Sequence, residues 1–111
     1  MALYLGIDIG TSASKGVLID DRCNIVCQAS CGHETDSPCD GWYQHDAEAV
    51  WWGDFCRLSR ELVARSGVNA AQIGCVGLSA LGCDCVPVDT ECNALAPAIL
   101  LWSRCTLETA D

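Results

Sequence analysis

The chain has 111 residues, half of them hydrophobic, and its fifteen acidic against six basic residues give a formal net charge of −9. This length suits one small domain or part of a larger one, and the apolar content argues against wholesale disorder. The negative charge argues against nucleic-acid and anionic-membrane partners, because both attract basic surfaces. No apolar stretch is as long as a membrane span and the N-terminus lacks a signal-peptide pattern, so a cytoplasmic location is expected.

Ten cysteines are spread along the chain. A secreted disulfide framework would be accompanied by a signal peptide and a weak core, and neither is evident in the sequence. No paired Cys-x-x-Cys spacing of a zinc site occurs. The closest pair, Cys83 and Cys85, has no obvious second pair beside it. The pattern predicts structural thiols that act as small buried hydrophobes, and a cysteine-rich metal or redox module is the alternative.

The first third of the chain predicts an antiparallel meander. Apolar runs at 3–9 and 14–20 indicate two strands joined by a small polar turn. After a turn at 20–24, a run at 25–31 indicates a third strand. Residues 32–41 are polar and predict a loop.

A helix of about twenty residues is predicted next. Asp46 suits the N-cap, Glu48 lies in the first turn where it favours the helix dipole, and Gly67 offers a left-handed stop. Apolar residues recur at helical spacing and predict a core-facing stripe. The stripe consists of Trp51, Phe55, Leu58 and Leu62, with Val50 and Val63 beside it and Arg57, Arg60 and Arg65 off it.

A short apolar run at 73–79 predicts a buried parallel strand after this crossover helix. The remaining predicted elements are a loop at 80–82, a strand at 83–88, a turn at 89–93, an extended segment at 97–102 and a polar, helix-capable stretch at 103–111. The fold class is therefore α/β, a mixed sheet in which a three-strand meander is followed by a helix and a parallel strand. This order is that of the first units of a ribonuclease-H-like layer.

Polar side chains converge on the first turn. They are Asp8, Thr11, Ser12, Ser14 and Lys15. A carboxylate beside hydroxyls, exposed amides and a lysine suits a phosphate with a divalent metal. Since ligands of open sheets bind beyond the strand ends, Asp8 and Ser79 are expected to face one cleft. An ordinary hairpin with a solvated turn is the alternative, and a P-loop is excluded because its Gly-Lys-Ser/Thr order is missing.

The stretch LGIDIGTSASKGVLID at 5–20 resembles the first phosphate motif of the FGGY carbohydrate kinases, which belong to the actin, Hsp70 and sugar-kinase superfamily. Three further segments match in order: GWYQHD at 41–46, IGCVGLS at 73–79, and LAPAIL at 95–100 followed by Trp102. Asp-x-Gly-Thr alone is a weak signal, whereas four collinear segments are a strong one. The resemblance implies ATP-dependent phosphorylation of a sugar or polyol hydroxyl.

The resemblance also implies roles at the first turn. Asp8 would hold Mg²⁺ through water, opposite the phosphates of ATP. Gly10, Thr11 and Ser12 would meet the phosphates through amides and hydroxyls. Lys15 stands where relatives carry a lysine or arginine that can approach the phosphates. Such a set suits phosphoryl transfer, which depends mostly on positioning and charge neutralisation.

Two motifs depart from the family pattern. Where xylulose-kinase-like members carry Gly-Gln-Met-His-Gly, this chain has ALGCD at 80–84, so the sugar-binding histidine position falls on Cys83. Asp84 is a possible carboxylate contact or a solvated turn residue. The family's Trp-x-Asp-x-Arg-Thr becomes WSRCT at 102–106, without the Asp, and a xylulose assignment is therefore unsafe. The candidate substrate contacts are Leu81, Gly82, Cys83, Asp84 and Arg104.

Family chains are several times longer and bind ATP between two domains. The resemblance places the catalytic base, an Asp, and the adenosine-binding half beyond residue 111. Residues 1–111 are therefore expected to be a partial N-terminal domain, inactive alone, of a kinase that could form a homodimer. A nonenzymatic acidic interaction domain with a degenerate phosphate hairpin is the remaining alternative.

Overall fold

The computed structural model describes residues 2–100. Its regular elements are strands β1 (Leu3–Ile9), β2 (Ala13–Asp20), β3 (Ile25–Gly32) and β4 (Gln44–His45), a π-helical segment (Ala47–Trp52), helix α1 (Gly53–Ser66), a 3₁₀ turn (Ala70–Gln72), and strands β5 (Ile73–Ala80) and β6 (Ala98–Ile99). The predicted meander, crossover helix and fourth strand are confirmed. The prediction that the fourth strand is buried is wrong: β5 is the edge strand of the sheet, and seven of its eight residues are exposed.

The main sheet has the strand order β3-β2-β1-β5. Strands β1, β2 and β3 are antiparallel neighbours, and β5 pairs with β1 in parallel. Strands β4 and β6 form a separate antiparallel pair of two residues each. The sheet therefore has the mixed topology that the sequence pattern predicts.

Helix α1 covers one face of the sheet. Alternate residues of a strand point to opposite faces, so every second residue of β1 and β2 faces the helix. The buried core consists of Leu3, Leu5, Ile7, Ile9, Leu18, Leu58 and Leu62. Two residues of the predicted stripe, Leu58 and Leu62, are fully buried one helical turn apart, and Trp51 and Phe55 pack against this core. Burial of each such leucine contributes about 1.5–3 kcal/mol.

The predicted ends of the helix are confirmed. The Asp46 side chain accepts hydrogen bonds from the backbone amides of Glu48 (3.1 Å) and Ala49 (2.9 Å). The chain leaves α1 at Gly67, whose φ of 71° is the left-handed conformation that glycine adopts without strain. The first turns are π-helical, because the Gly53 amide donates to the Glu48 carbonyl five residues back.

The predicted strand at 83–88 is wrong. In this segment, Cys85 forms a single bridge with Ile99 and Val88 forms another with Ala94. A continuous ladder is interrupted because Cys83 is left-handed (φ 63°) and Pro87 has no amide hydrogen to donate. The predictions for residues 101–111 lie outside the described part of the chain.

The prediction that the cysteines are buried hydrophobes is also wrong. Of the nine cysteines within residues 2–100, six are exposed and three are partly buried. Those same residues contain no group of three or more His, Cys, Asp or Glu side chains that could hold a metal ion. They also include no helix that is long and apolar enough to cross a membrane.

Candidate functional site at the strand-end turn

A row of polar side chains crosses the sheet on the face opposite α1. The strand register aligns Ser30, Lys15, Asp8 and Ser79 on neighbouring strands, and all four are exposed. The Ser79 hydroxyl donates a hydrogen bond to Oδ1 of Asp8 at 3.1 Å. The expectation that Asp8 and Ser79 face one cleft therefore agrees with the structure.

Behind this row lies an open groove of about 690 Å³. Its floor includes Gly6 and Gly77, which the register places side by side on β1 and β5. A Cβ added at Gly77 would meet no atom within 4 Å, so this part of the face is open space. The polar row thus forms the end of a groove into which a ligand can approach the backbone closely.

The turn from β1 to β2 needs glycine at position 10. The Gly10 amide donates to the Ala13 carbonyl at 2.9 Å and closes the turn. A Cβ at Gly10 would lie 2.7 Å from that same carbonyl oxygen, a distance at which the turn must shift. Within residues 2–100, no acceptor faces the backbone amides of Thr11 and Ser12, and both residues are exposed. Two successive free amides of this kind form an anion-binding nest.

The carbonyls of the turn, in contrast, are all occupied. The Gly10 carbonyl accepts from His33 Nε2 at 2.8 Å, and the Ser12 carbonyl accepts from the His33 amide at 3.0 Å. The Thr11 carbonyl accepts from the Thr35 hydroxyl at 3.2 Å. His33 and Thr35, in the segment after β3, therefore hold the carbonyl side of the turn.

Ser14 does not belong to the polar tip, contrary to the expectation from sequence. It is fully buried and faces α1, where its hydroxyl donates to Oδ2 of Asp54 at 2.7 Å. The reason is strand alternation, which sends Ser14 to the core face and Lys15 to the open face. Ser14, Asp54 and His33 are the three residue types of a hydrolytic triad. The Asp54 carboxylate lies between the other two, however, so His33 cannot accept the serine proton.

Asp54 is the anchor of the buried polar cluster. Its Oδ2 also lies 2.7 Å from His33 Nδ1, and Arg57 lies 3.8 Å from Oδ1. Burial alone would raise the pKa of Asp54, but hydrogen bonds from Ser14, His33 and Cys31 outweigh it and hold that pKa below its usual value. Burial and the hydrogen bond to Asp54 raise the pKa of the Cys31 thiol, so this cysteine stays protonated.

A second histidine, His45, completes the cluster. Its Nδ1 accepts from the Trp51 indole N–H at 3.0 Å, its Nε2 lies 3.2 Å from the Thr35 hydroxyl, and its ring meets that of His33 edge-on at 5.0 Å. Burial lowers the pKa of His45, and the charge of His33 lowers it further. His45 is therefore neutral, with its proton on Nε2 because Nδ1 accepts from the indole.

Sequence reasoning missed His33, His45 and Asp54. One signal was available for Asp54, which follows Trp51 by three residues and precedes Leu58 by four, so it lies on the apolar stripe. A carboxylate at such a position is buried and needs donors. The two histidines lie in or beside the predicted loop, where the sequence pattern indicates no partner.

The structure brings together Asp8, Gly10, Thr11, Ser12 and Lys15, five of the predicted site residues, at the hairpin end. The candidate substrate residues are placed differently. Leu81 packs against the core and its amide donates to the Ile9 carbonyl at 3.0 Å, so its side chain is part of the apolar interior. Gly82 and Cys83 are exposed and Asp84 is half-buried, while Arg104 lies outside the described residues.

Comparisons with known proteins agree with this geometry. A family model described as the N-terminal domain of the FGGY family of carbohydrate kinases matches residues 3–111. A glycerol kinase of Rhodospirillum rubrum is 34% identical over 79 residues, which cover 71% of this chain and 16% of that protein. A glycerol kinase of Burkholderia cenocepacia is 33% identical over 75 residues, 68% of this chain and 15% of that protein.

Solved structures of similar proteins share the fold. A xylulose kinase from Brucella ovis superposes with a TM-score of 0.86 at 32% identity, over 97% of this chain and 23% of that protein. The glycerol kinase of Plasmodium falciparum with ADP gives a TM-score of 0.81 at 25% identity, over 98% of this chain and 22% of that protein. The chain thus spans about a sixth of the length of the curated relatives that it matches. The sheet order, the collinear motifs and the family match together show that this chain belongs to the FGGY family of carbohydrate kinases.

Proposed function

We propose that this chain forms the phosphate-binding part of a kinase that transfers the γ-phosphate of ATP to a hydroxyl of a sugar or polyol. The observation that carries the proposal is the turn at residues 10–13, where two successive amides are free and every carbonyl is occupied. Such a turn offers donors and no acceptors to an incoming ligand, which suits a phosphate. The presence of ADP with the Plasmodium falciparum glycerol kinase supports a nucleotide as the source of that phosphate.

The residues of the turn take separate roles in this proposal. Thr11 and Ser12 donate amide and hydroxyl hydrogen bonds to phosphate oxygens. The Gly10 amide does not take the phosphate contact expected from the sequence, because it donates to the Ala13 carbonyl; Gly10 instead lets the turn close, since a Cβ there would lie 2.7 Å from that carbonyl oxygen. Lys15, across the ladder from Asp8, brings one positive charge to the same end of the sheet. In an acidic chain this local charge offsets the repulsion of an anionic nucleotide.

Asp8 is the residue that would hold Mg²⁺, through water. Its carboxylate is exposed, and Ser79 occupies Oδ1 while Oδ2 has no partner among residues 2–100. A single carboxylate oxygen beside phosphate oxygens fits this ion, which keeps several of its waters and is bound by one or two carboxylates. When bound, the ion supplies neutralisation of the charge that develops on the phosphates.

The acceptor substrate would bind beyond the end of β5. Gly82, Cys83 and Asp84 follow that strand at the same end of the sheet as Asp8, and Arg104 is a further candidate from sequence. Leu81 would contribute through its backbone alone, because its side chain packs against the core.

We further propose that residues 1–111 are part of an N-terminal domain, with the catalytic base and the adenosine site in other parts of the full-length kinase. The chain spans 16% of the length of a glycerol kinase that it matches, which supports this division. Alone, the chain is expected to be inactive. For the full-length protein we expect a cytoplasmic enzyme that forms a homodimer and has no nucleic-acid or membrane partner.

The test is turnover by the complete polypeptide that contains this chain. ADP release is measured with ATP, Mg²⁺ and a panel of polyols and ketoses, and Asp8→Asn is compared with Asp21→Asn, an exposed carboxylate at the opposite end of β2. We expect Asp8→Asn to lower kcat about 100-fold, because one pre-organised electrostatic contact is typically worth that much. The Asp21 variant should match the wild type. Normal turnover by Asp8→Asn would exclude the role of Asp8, and no ADP release with any acceptor would exclude the kinase.

A further inference from the structure

Three consecutive carbonyls of the turn are held by two residues of the segment that follows β3. His33 binds the carbonyls of Gly10 and Ser12, and Thr35 binds that of Thr11. A trans peptide unit is planar, so its C=O and the next residue's N–H point in opposite directions. Fixing the Gly10 carbonyl therefore aims the Thr11 amide outward, and fixing the Thr11 carbonyl aims the Ser12 amide outward.

The contacts of His33 determine its protonation. Nε2 faces the Gly10 carbonyl, which can only accept, and Nδ1 faces the Asp54 carboxylate, which already accepts the Ser14 proton. Both ring nitrogens must therefore donate, so His33 is an imidazolium paired with the Asp54 anion. Their side chains are 6% and 4% exposed, and a buried pair of this kind is stable only when each partner keeps the other's charge balanced.

A second path leads to the Thr11 carbonyl with equally fixed directions. The Trp51 indole N–H donates to His45 Nδ1, the remaining ring proton of His45 points to the Thr35 oxygen, and the Thr35 hydroxyl donates to the Thr11 carbonyl. The His45 ring also has a hydrogen bond to the Thr11 backbone, so it and the Thr35 hydroxyl meet at the same peptide unit. The path ends on the peptide unit that carries the Ser12 amide.

We propose that His33 and Thr35 are positioning residues of the phosphate turn: they orient the Thr11 and Ser12 amides toward the terminal phosphates of the nucleotide. The inference rests on the proposed function. A hydrogen bond from an imidazolium to a carbonyl also polarises the peptide unit, so the Thr11 N–H becomes a stronger donor to an anion. His33 and Thr35 act through the turn and do not touch the substrate.

Two near-isosteric variants separate the two bonds of His33. In His33→Asn the side-chain amide occupies the place of Nδ1 and reaches Asp54 but not Gly10. In His33→Gln it occupies the place of Nε2 and reaches Gly10 but not Asp54. Glu34→Gln, an exposed neighbour with no role in the turn, is the matched control. The complete polypeptide is assayed for kcat and for the separate KM values of MgATP and of the acceptor.

We expect His33→Asn to raise the KM of MgATP about tenfold, because it removes a charge-assisted hydrogen bond that aims a phosphate donor. His33→Gln keeps a neutral donor to Gly10 and should raise that KM about threefold. The KM of the acceptor should stay within about twofold in both, and Glu34→Gln should match the wild type. A merely structural role would instead lower the active fraction, which reduces kcat and leaves both KM values unchanged.

Thr35→Val keeps the test decisive if His33→Asn does not fold, since it removes one hydroxyl at constant shape. It should raise the KM of MgATP about threefold and leave that of the acceptor unchanged. Folded His33 and Thr35 variants with a wild-type KM for MgATP would overturn this inference and leave the proposed function standing. A wild-type protein that releases no ADP would overturn the proposed function and this inference with it.

Discussion

Strand β2 begins at a turn over residues 10–13 and ends at a turn over residues 20–24, and the two turns treat their backbone amides differently. In the second turn, Oδ1 of Asp20 accepts from the amides of Arg22 and Asn24, both at 2.9 Å. The Asn24 side chain closes the loop by donating to Oδ2 of Asp20 at 3.1 Å. In the first turn the corresponding amides are free and distant residues hold the carbonyls. A turn that satisfies its own amides has nothing left to offer a ligand.

A third turn of the chain also has an Asp side chain that accepts hydrogen bonds from the turn's own backbone amides. Residues 89–93 repeat the pattern Asp-x-x-Cys-Asn of residues 20–24, and Asp89 accepts from the Glu91 and Asn93 amides at the same 2.9 Å. In both turns the amide of the Asp donates to the carbonyl of the Asn at 3.0 Å. The difference between the turns therefore lies in the first one, which needs an external support because its own side chains do not satisfy it.

Removing that external support should have the largest effect on stability. Asp54→Ala leaves the His33 imidazolium and the Ser14 hydroxyl buried without their acceptor. We expect it to lower the free energy of unfolding by about 3 kcal/mol or more, as is usual when one partner of a buried ion pair is lost. Urea denaturation of this chain, followed by circular dichroism, measures the change.

Asp20→Ala is the matched variant in the second turn, at the end of β2. It should lower the free energy of unfolding clearly less than Asp54→Ala does, because the Asp20 carboxylate is next to solvent and the amides that donate to it can bind water instead. Glu61→Ala, which removes an exposed partner of Arg65 on the same helix as Asp54, should change stability by less than about 1 kcal/mol. Equal losses in the Asp54 and Asp20 variants would mean that the two turns are supported alike.

A change of pH should weaken the first turn through His45. Burial, aided by the charge of His33, lowers the pKa of His45 below 6.5, while a hydrogen bond to the Thr11 backbone and the carboxylates of Asp84 and Asp54 act in the opposite direction. As the pH falls below 6.5, His45 is therefore protonated in the unfolded chain before it is protonated in the folded chain. The stability that neutral His45 provides is lost as the pH falls. The loss is at most about 1.4 kcal/mol per pH unit for one proton.

The measurement compares the wild type with His45→Gln, because the difference isolates His45 from other titrating groups. We expect the wild type to be more stable at pH 7.5 and its advantage to shrink between pH 6.5 and pH 5, measured by urea denaturation. An advantage that stays constant or grows on acidification would show that folding does not lower the pKa of His45.

The sequence pattern predicted the framework well because the framework is local. Strands β1, β2, β3 and β5, the Asp46 cap and the Leu58–Leu62 face follow from periodicity and capping chemistry, which act over a few residues. The same reasoning placed Asp8 and Ser79 together, because the end of a parallel strand pair is a geometric consequence of the topology. It failed at Ser14, although strand alternation from Lys15 already puts these two residues on opposite faces.

The support of the turn could not be predicted from local pattern. His33 and Asp54 are 21 residues apart, and Ser14 and Asp54 are 40 apart, so their bonds depend on how α1 packs on the sheet. The exposed cysteines were missed for a different reason. Hydrophobic character predicts burial, but Cys23 and Cys92 stand at left-handed turn positions, where backbone conformation selects the residue and burial does not.

Cys23 gives the smallest expected effect and concerns the second turn alone. Its φ of 64° is a conformation in which an L-residue with a Cβ is strained, whereas glycine adopts it freely. Cys23→Gly should therefore raise the free energy of unfolding by about 0.5–1 kcal/mol, the net of relieved strain and the larger entropy of an unfolded glycine. Cys75→Gly is the control, because Cys75 lies in the interior of β5 and glycine there weakens a strand. A gain at position 23 with a loss at position 75, under reducing conditions, would show that the second turn is limited by its own backbone. Equal losses at both positions would show instead that Cys23 is held by contacts of its side chain.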